Sequence, residues 1–343
     1  MYKKILLTGA SGWLGRSFLK FISELPSEYK NITHHVEDVK IKAFVLPQEK
    51  KALSERFPLV EFFAGNLMDN AHLEAFCNGE SGSCLVHLAG IIHPSRFVSE
   101  LFDLNVKASE LLFRSAIKHD VKRLVVMSSN SPFGCNAAPG ITFDENAPYN
   151  PYMSYGRSKM GLELLVNEVS TKIETCLIRS PWFYGPFQPS RQLEFFKMIQ
   201  KGTVPIIGTG NNWRSMAYMD NIVQGLVLAA YTSSAAGQSY WIADERPYTF
   251  NEIVNTIEFL LSEEFGQPCT FGRIKLPSAV SEIAFQFDRL IQFCGLYNQK
   301  IHVLSEMNKN IACTIEKAIH ELGYSPLVGL EEGMRRSLNE IYK

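Results

Sequence analysis

Nowhere in this 343-residue chain do two cysteines stand as C-x-x-C, and its seven cysteines (Cys77, Cys84, Cys135, Cys176, Cys269, Cys294, Cys313) are odd in number and scattered. That spacing gives neither a disulfide framework nor a zinc site, so no metal is expected and reduced thiols in a cytoplasmic protein are. Net charge is nearly absent, −1 with a pI of about 6.7, which leaves no field to attract a nucleic acid. Long apolar runs are missing as well, so no membrane span is expected. The opening Met1-Tyr2-Lys3-Lys4-Ile5-Leu6-Leu7 starts like a secretory signal, but Thr8-Gly9 cuts its apolar part short. Repeats and low-complexity tracts are also lacking. What is present is an ordinary globular composition, 46% hydrophobic and 20% charged, long enough for one large domain or two joined ones.

Short apolar runs recur along the first half. Lys4 to Thr8 reads as a buried strand, and Gly9-Ala10-Ser11-Gly12-Trp13-Leu14-Gly15 follows at once. Arg16 to Leu25 then carries helical spacing through Phe18, Leu19, Ile22 and Leu25. Strand, glycine turn and helix together form a place where backbone can approach a pyrophosphate at a helix N-terminus; the plain alternative is a small-residue packing turn. Pro26 to Asp38 reads as a polar connection. Val39 to Leu46, Leu59 to Phe63, Cys84 to Ala89, Arg123 to Met127 and Glu174 to Ile178 read as further strands, and Ser239 to Ala243 as a late return to the sheet. Leu101 to Ala116, the segment of Tyr155, and Asp220 to Tyr231 read as helices. Strands alternating with helices predict an α/β fold with a parallel sheet covered on both faces, whose ligands lie beyond the carboxyl ends of the strands. Gly9, Ala89, Ser129 and Arg179 follow strand ends and are expected to converge on one crevice.

Prolines and glycines crowd Ser180 to Pro189, after which helices are predicted over Leu193 to Lys201, Phe250 to Phe265, Ser278 to Leu296 and Leu330 to Tyr342. Ser278 to Leu296 is apolar enough for a membrane-lying helix, but Glu282, Asp288 and Arg289 favour a half-buried one.

Tyr155 and Lys159 stand four apart, on one face of a helix. A free phenol loses its proton near pH 10, so a cation beside it is needed to bring the phenolate into range. With the glycine turn and with Ser128-Ser129 at the end of an apolar run, the pair points to proton transfer at a cofactor site.

These residues resemble the extended short-chain dehydrogenase/reductase family, also called the NAD-dependent epimerase/dehydratase family. Thr8 to Gly15 resembles its T-G-x-x-G-x-x-G turn. His87-Leu88-Ala89-Gly90, Asp103-Leu104-Asn105-Val106, Ser128-Ser129 with Gly134, Tyr155 with Lys159, Arg179 with Tyr184-Gly185-Pro186, Arg214 with Tyr218 to Asn221, and Ala318 to Pro326 extend the likeness over nearly the whole chain. The resemblance implies a Rossmann-type doubly wound sheet with a smaller, mostly helical C-terminal substrate domain. In it residues 1–179, rejoined by about 218–245, hold the dinucleotide, while 180–217 and 246–343 hold the substrate. It implies NAD or NADP against Thr8, Gly9, Ser11, Gly12, Trp13, Leu14, Gly15, Asn66, Leu67, Leu88, Ala89, Gly90, Asn105, Tyr155, Lys159 and Pro181. Catalysis falls to Ser129, Tyr155 and Lys159, and substrate contacts to Ser129, Ser131, Trp182 and Arg214. Ser129 is preferred to Ser128 because it stands five before Gly134. A homodimer through the helices of Asn105 and Tyr155 is also implied.

Departures narrow the chemistry. Asn130 and Ser131 stand where the family's 4,6-dehydratases carry an acidic pair and its decarboxylases a glutamate, so neither activity is expected. No acid ends the second strand, and Lys50-Lys51 follow, leaving NAD against NADP open. Arg214 beside Gly208-Thr209-Gly210-Asn211-Asn212 favours a nucleotide-activated sugar, since a guanidinium suits a diphosphate. Trp182 stands where many of the family's nucleotide-sugar members have an asparagine, and Ser180-Pro181 and Asp220-Asn221 lean instead toward the 3β-hydroxysteroid dehydrogenase and dihydroflavonol reductase branches. The expected function is an NAD(P)-dependent oxidoreductase or epimerase acting at a secondary alcohol or ketone. A non-catalytic cofactor-binding scaffold is the rival, against which the intact Ser129, Tyr155 and Lys159 speak.

Overall fold

The computed structural model describes residues 2–342. Its centre is a seven-stranded sheet in which β1 (Lys4–Thr8), β2 (Lys40–Val45), β3 (Glu61–Ala64), β4 (Cys84–His87), β5 (Arg123–Met127), β6 (Glu174–Arg179) and a seventh strand (Gln238–Trp241) pair in parallel. The spatial order is seventh strand, β6, β5, β4, β1, β2, β3, so the chain reverses its direction of winding between β1 and β4. At such a switch point the loops after neighbouring strands part and leave a crevice. This is the parallel α/β sheet read from the alternation, and it is doubly wound as the resemblance implies.

Both faces of the sheet are covered, and the period of two decides which residue goes where. Ile5 and Leu7 pack with Phe18, Ile222, Leu226 and Trp241 on one face. Leu6 packs with Leu85, Phe113, Leu124 and Leu162 on the other. A third cluster, of Tyr184, Phe196, Ile206, Phe250, Ile257 and Leu338, lies beyond the sheet. On the two segments through which a homodimer is implied, Leu101, Leu112 and Leu162 are buried in the core, and Leu164 is exposed.

Four segments differ from the sequence reading. The polar connection over 26–38 contains a helix, Lys30–Val36, because Tyr29, Ile32 and Val36 form a buried stripe that His34 and His35 disguise. The tyrosine of that stripe donates its hydroxyl to Asn221 Oδ1 at 2.9 Å. Strand β3 begins at Glu61, and Leu59 is left 92% exposed. The helix expected over 101–116 is interrupted by a π-helical turn, Asp103–Ala108, that carries Asn105. Such turns displace one residue from the helical register and recur at functional positions.

The fourth is the helix Ala279–Phe293, whose polarity is reversed. Its buried residues are Ser281, Ala284, Asp288 and Gln292, while Ile283, Phe287, Leu290 and Phe293 face outward. It is half-buried as expected, but by its polar stripe. Among the described residues no helix is long and apolar enough to cross a membrane, and no group of three or more His, Cys, Asp or Glu could hold a metal ion.

Candidate active site

The glycine turn follows β1 at the switch point. Gly9 takes φ +75°, and a Cβ there would lie 2.6 Å from Ala89 N. One at Gly15 would lie 2.0 Å from the Gly9 carbonyl oxygen, so only glycine lets the helix Trp13–Glu24 sit this close to the strand. Gly12 differs: its Cβ would meet only Gly9 O, at 3.2 Å, and otherwise open space. No side chain caps this helix and its first turn has no acidic residue, so its free N–H groups fit a pyrophosphate. Leu14 packs into the core, and Trp13 reaches across to the Pro186 carbonyl at 2.5 Å.

Other residues assigned to the dinucleotide take varied places. The Thr8 hydroxyl is buried on His87 Nδ1, at 2.7 Å, and accepts from Ala89 N, so it ties β1 to the loop after β4. Burial and the Lys159 charge push His87 down to about 3, so it is a neutral strut. Asn105 holds the chain beyond Gly90, accepting from Ile91 N and donating to Ile91 O, both at 2.9 Å, while its Nδ2 also donates to Ser158 Oγ at 3.0 Å. Leu88 and Ala89 are half-buried beside the turn and Ser11 is half-buried within it. Leu67 is half-buried after β3, and the exposed Asn66 turns its amide oxygen to Met68 N.

Beyond the strand ends lies a cavity of about 310 Å³, lined by Ser129, Asn130, Ser131, Tyr155, Pro181, Trp182 and Arg214 among others. Ser129 follows β5, and its hydroxyl stands 3.3 Å from that of Ser131. Ser128 faces the other way, donating to Glu163 Oε1 at 2.5 Å, which explains why its neighbour is the serine in the cavity. Tyr155 comes from the helix Met153–Val169. This helix starts under constraint: Met153 takes the left-handed φ of +52°, Tyr152 N donates to Ser131 O at 2.9 Å, and a Cβ at Gly156 would fall 2.4 Å from that same oxygen.

Burial pushes the Tyr155 phenol up to about 12; Ser129 and the Arg191 charge pull it back, and Glu306 pushes it further. Lys159 is buried, and this lowers its ammonium to about 8 against the opposing pull of Glu163. Its Nζ donates to the Met127 carbonyl at 2.9 Å. Arg191, whose charge favours the phenolate, comes from the helix Ser190–Gln200.

Two arginines behave differently from the reading of the sequence. Arg179 does not line the cavity. Its guanidinium is buried on Glu163, with Nη2 to Oε2 at 2.8 Å, and lies 4.4 Å from the Phe133 ring centre. Arg214 lines the cavity from a short strand, Trp213–Arg214, rather than a loop, and donates to the Glu306 carbonyl while its Nε has no partner among the described residues. Trp182 packs on Phe195, ring centres 5.7 Å apart. The same cavity is lined by His93, Arg191, His302 and Glu306, none of which stands in a motif.

Residues 5–243 match the profile of the NAD dependent epimerase/dehydratase family, and the chain belongs to that family. It is 44% identical to an uncharacterized protein, y4nL, of Sinorhizobium fredii, over 98% of this chain and 94% of that one. It is 28% identical to the 3beta-hydroxysteroid-dehydrogenase/decarboxylase isoform 1 of Arabidopsis thaliana, over 69% of this chain and 57% of the relative. With the N-acetyl-alpha-D-glucosaminyl-diphospho-ditrans,octacis-undecaprenol 4-epimerase of Escherichia coli O157:H7 it shares 24% identity over 98% of this chain and 95% of that one. It is thus an NAD-dependent enzyme of the epimerase/dehydratase type.

Proposed function

We propose that the protein oxidises or reduces a secondary alcohol or ketone by Ser129-Tyr155-Lys159 chemistry, with the dinucleotide held by 1–179 and 218–245 and the substrate by 180–217 and 246–343. The observation that carries this is the meeting of Ser129 and Tyr155 in one cavity beyond β5, with Lys159 buried behind them. Burial keeps the phenol protonated at neutral pH, ready to give its proton to a substrate oxygen as charge develops there. Ser129 orients that oxygen. In the reverse direction the phenolate must form, and the Arg191 guanidinium offsets its charge. NAD or NADP, when bound, takes or supplies the hydride. Lys159 and Asn105 serve the nicotinamide ribose side. Asn130 and Ser131 can neither take nor give a proton at neutral pH, so we assign no 4,6-dehydration or decarboxylation.

For the substrate we propose a nucleotide-activated or otherwise diphosphate-linked sugar. Arg214 supports this, since it brings a guanidinium, a group suited to a diphosphate, to the cavity wall. So does the full-length likeness to an epimerase of a sugar carried on a diphosphate. A second reading, an apolar alcohol, is favoured by the lining of Trp182, Phe183, Phe195, Phe250 and Met307. Melting curves with NAD, NADP, UDP, GDP and dTDP separate the two, because a ligand bound to the native state raises the midpoint. Stabilisation by a dinucleotide and by none of the nucleoside diphosphates would select the apolar alcohol.

A further inference from the structure

The hydride chemistry uses groups on the sheet side of the cavity. The opposite wall holds a second set that it does not use. His302, on the helix Gln299–Glu306, lines the cavity and is 4% exposed. Its Nδ1 lies 2.7 Å from Oδ2 of Asp288, whose side chain is fully buried. Oδ1 of that aspartate accepts from Gln292 Nε2 at 2.9 Å, and Gln292 Oε1 accepts from Ser154 N, the residue before Tyr155, at 3.0 Å. The dyad is thus fixed to the first turn of the catalytic helix. Nε2 of His302 has no hydrogen-bond partner among the described residues. A histidine held in one tautomer by a buried carboxylate, with its other nitrogen free, is the arrangement of a general acid–base.

We propose that Asp288 and His302 form a second acid–base centre, which exchanges a proton with a substrate hydroxyl other than the one Tyr155 serves. The proposal rests on the hydride-transfer reading for its substrate. Nε2 accepts the proton as the substrate O–H bond breaks, leaving the electron pair on oxygen; the reverse step returns it. The carboxylate of Asp288 offsets the imidazolium charge, and no electron changes hands. A substrate that uses both centres carries at least two oxygens, which suits a sugar and excludes a sterol with a single hydroxyl.

The surroundings agree. Burial lowers its proton affinity, but Asp288 and, from the histidine's own helix, Glu306 together outweigh it and leave the imidazole above its usual value. His93 stands beside it from the loop after β4, its Nδ1 2.5 Å from Tyr297 Oη; burial, Arg191 and His302 push it down to about 3, so it stays neutral. Tyr297 and Tyr152 also face the ring, their centres 5.5 and 5.8 Å from its own.

The test follows the histidines of the full chain with NAD, by deuterium exchange at the imidazole C2 position read by mass spectrometry across pH. His302 should titrate above about 6.5, the ordinary value. Asp288→Asn should lower its midpoint by at least one unit, and saturation with UDP-glucose should move it by half a unit or more. Diethyl pyrocarbonate should acylate His302 and spare His87, both of whose nitrogens are engaged. A wild-type midpoint at or below the ordinary value, or no acylation, overturns the dyad even if Asp288→Asn does not fold. A midpoint that UDP-glucose and dTDP-glucose both leave unmoved overturns its role toward a sugar hydroxyl. Failure of the hydride-transfer reading is seen separately, as full turnover by Tyr155→Phe, which leaves the His302 titration where it was.

Discussion

The two walls of the crevice are made by different means. At the glycine turn the surface is backbone, brought close by Gly9 and Gly15 where any side chain would collide. Around the cavity it is side chains, two of them oriented by a partner from another element: His302 by Asp288 and Arg214 by the Glu306 carbonyl. A backbone wall tolerates almost no change of residue and needs no counter-charge. A side-chain wall changes specificity easily, but each buried charge depends on another.

Breaking the side-chain wall at its chemistry should have the largest effect. Tyr155→Phe keeps the ring and removes the proton carrier, so turnover should fall by about 10²–10⁴-fold while NAD still raises the melting point as in the wild type. Near-normal turnover would sink the mechanism. Behind this wall, Glu163→Gln leaves the Arg179 guanidinium buried without its counter-ion. Urea unfolding should then show a loss of about 3–5 kcal/mol; a loss under about 1 kcal/mol would mean that water or a neighbour replaces the carboxylate.

The backbone wall should break sterically. Gly15→Ala sets a methyl against the Gly9 carbonyl and should cost about 3 kcal/mol even without cofactor. A charge can then be removed at no loss. Lys159→Met should raise the stability of the cofactor-free protein at pH 7 by about 2 kcal/mol: roughly 3 kcal/mol recovered from the buried ammonium, less about 1 for its hydrogen bond to Met127. The sign follows from a folded pKa near 8 against 10.5 when unfolded. The cost of the cation is full below pH 8 and fades toward pH 10.5, so the advantage of the variant should shrink over that window. A flat difference would place the ammonium in water. The smallest effect sharpens the contrast: at Gly12 a Cβ would meet only the Gly9 carbonyl, at 3.2 Å, so Gly12→Ala should cost the cofactor-free protein no more than about 1 kcal/mol. Its NAD affinity should nevertheless drop at least tenfold, and unchanged affinity would move the pyrophosphate away from this turn.

Legibility in the sequence follows the same division. The glycine turn and Tyr155-x-x-x-Lys159 each span a few residues, so local spacing carries them, and the alternation of buried runs carried the sheet. The helix Lys30–Val36 was hidden because two histidines broke its apolar stripe. The π turn at Asn105 leaves no mark in a composition that remains helical on both sides. On the substrate wall, His93 meets Tyr297 across 204 residues, a pairing that only the folded chain can make. Asp288 and His302 are 14 apart, but on different helices, and the reversed polarity of one of them makes the aspartate look like a surface charge.

Met153 holds strain. A non-glycine residue held at φ +52° stores on the order of 1–3 kcal/mol, and here the store sits two residues before Tyr155. It persists because the Ser131 carbonyl on one side and the Gln292 amide on the other leave the turn nowhere to relax. The first turn of the helix Met153–Val169 thus acts as a loaded spring with two catches. If the helix Ala279–Phe293 loosens, the Gln292 catch opens and Tyr155 shifts before any core residue is exposed. Loss of activity on warming should therefore run ahead of unfolding.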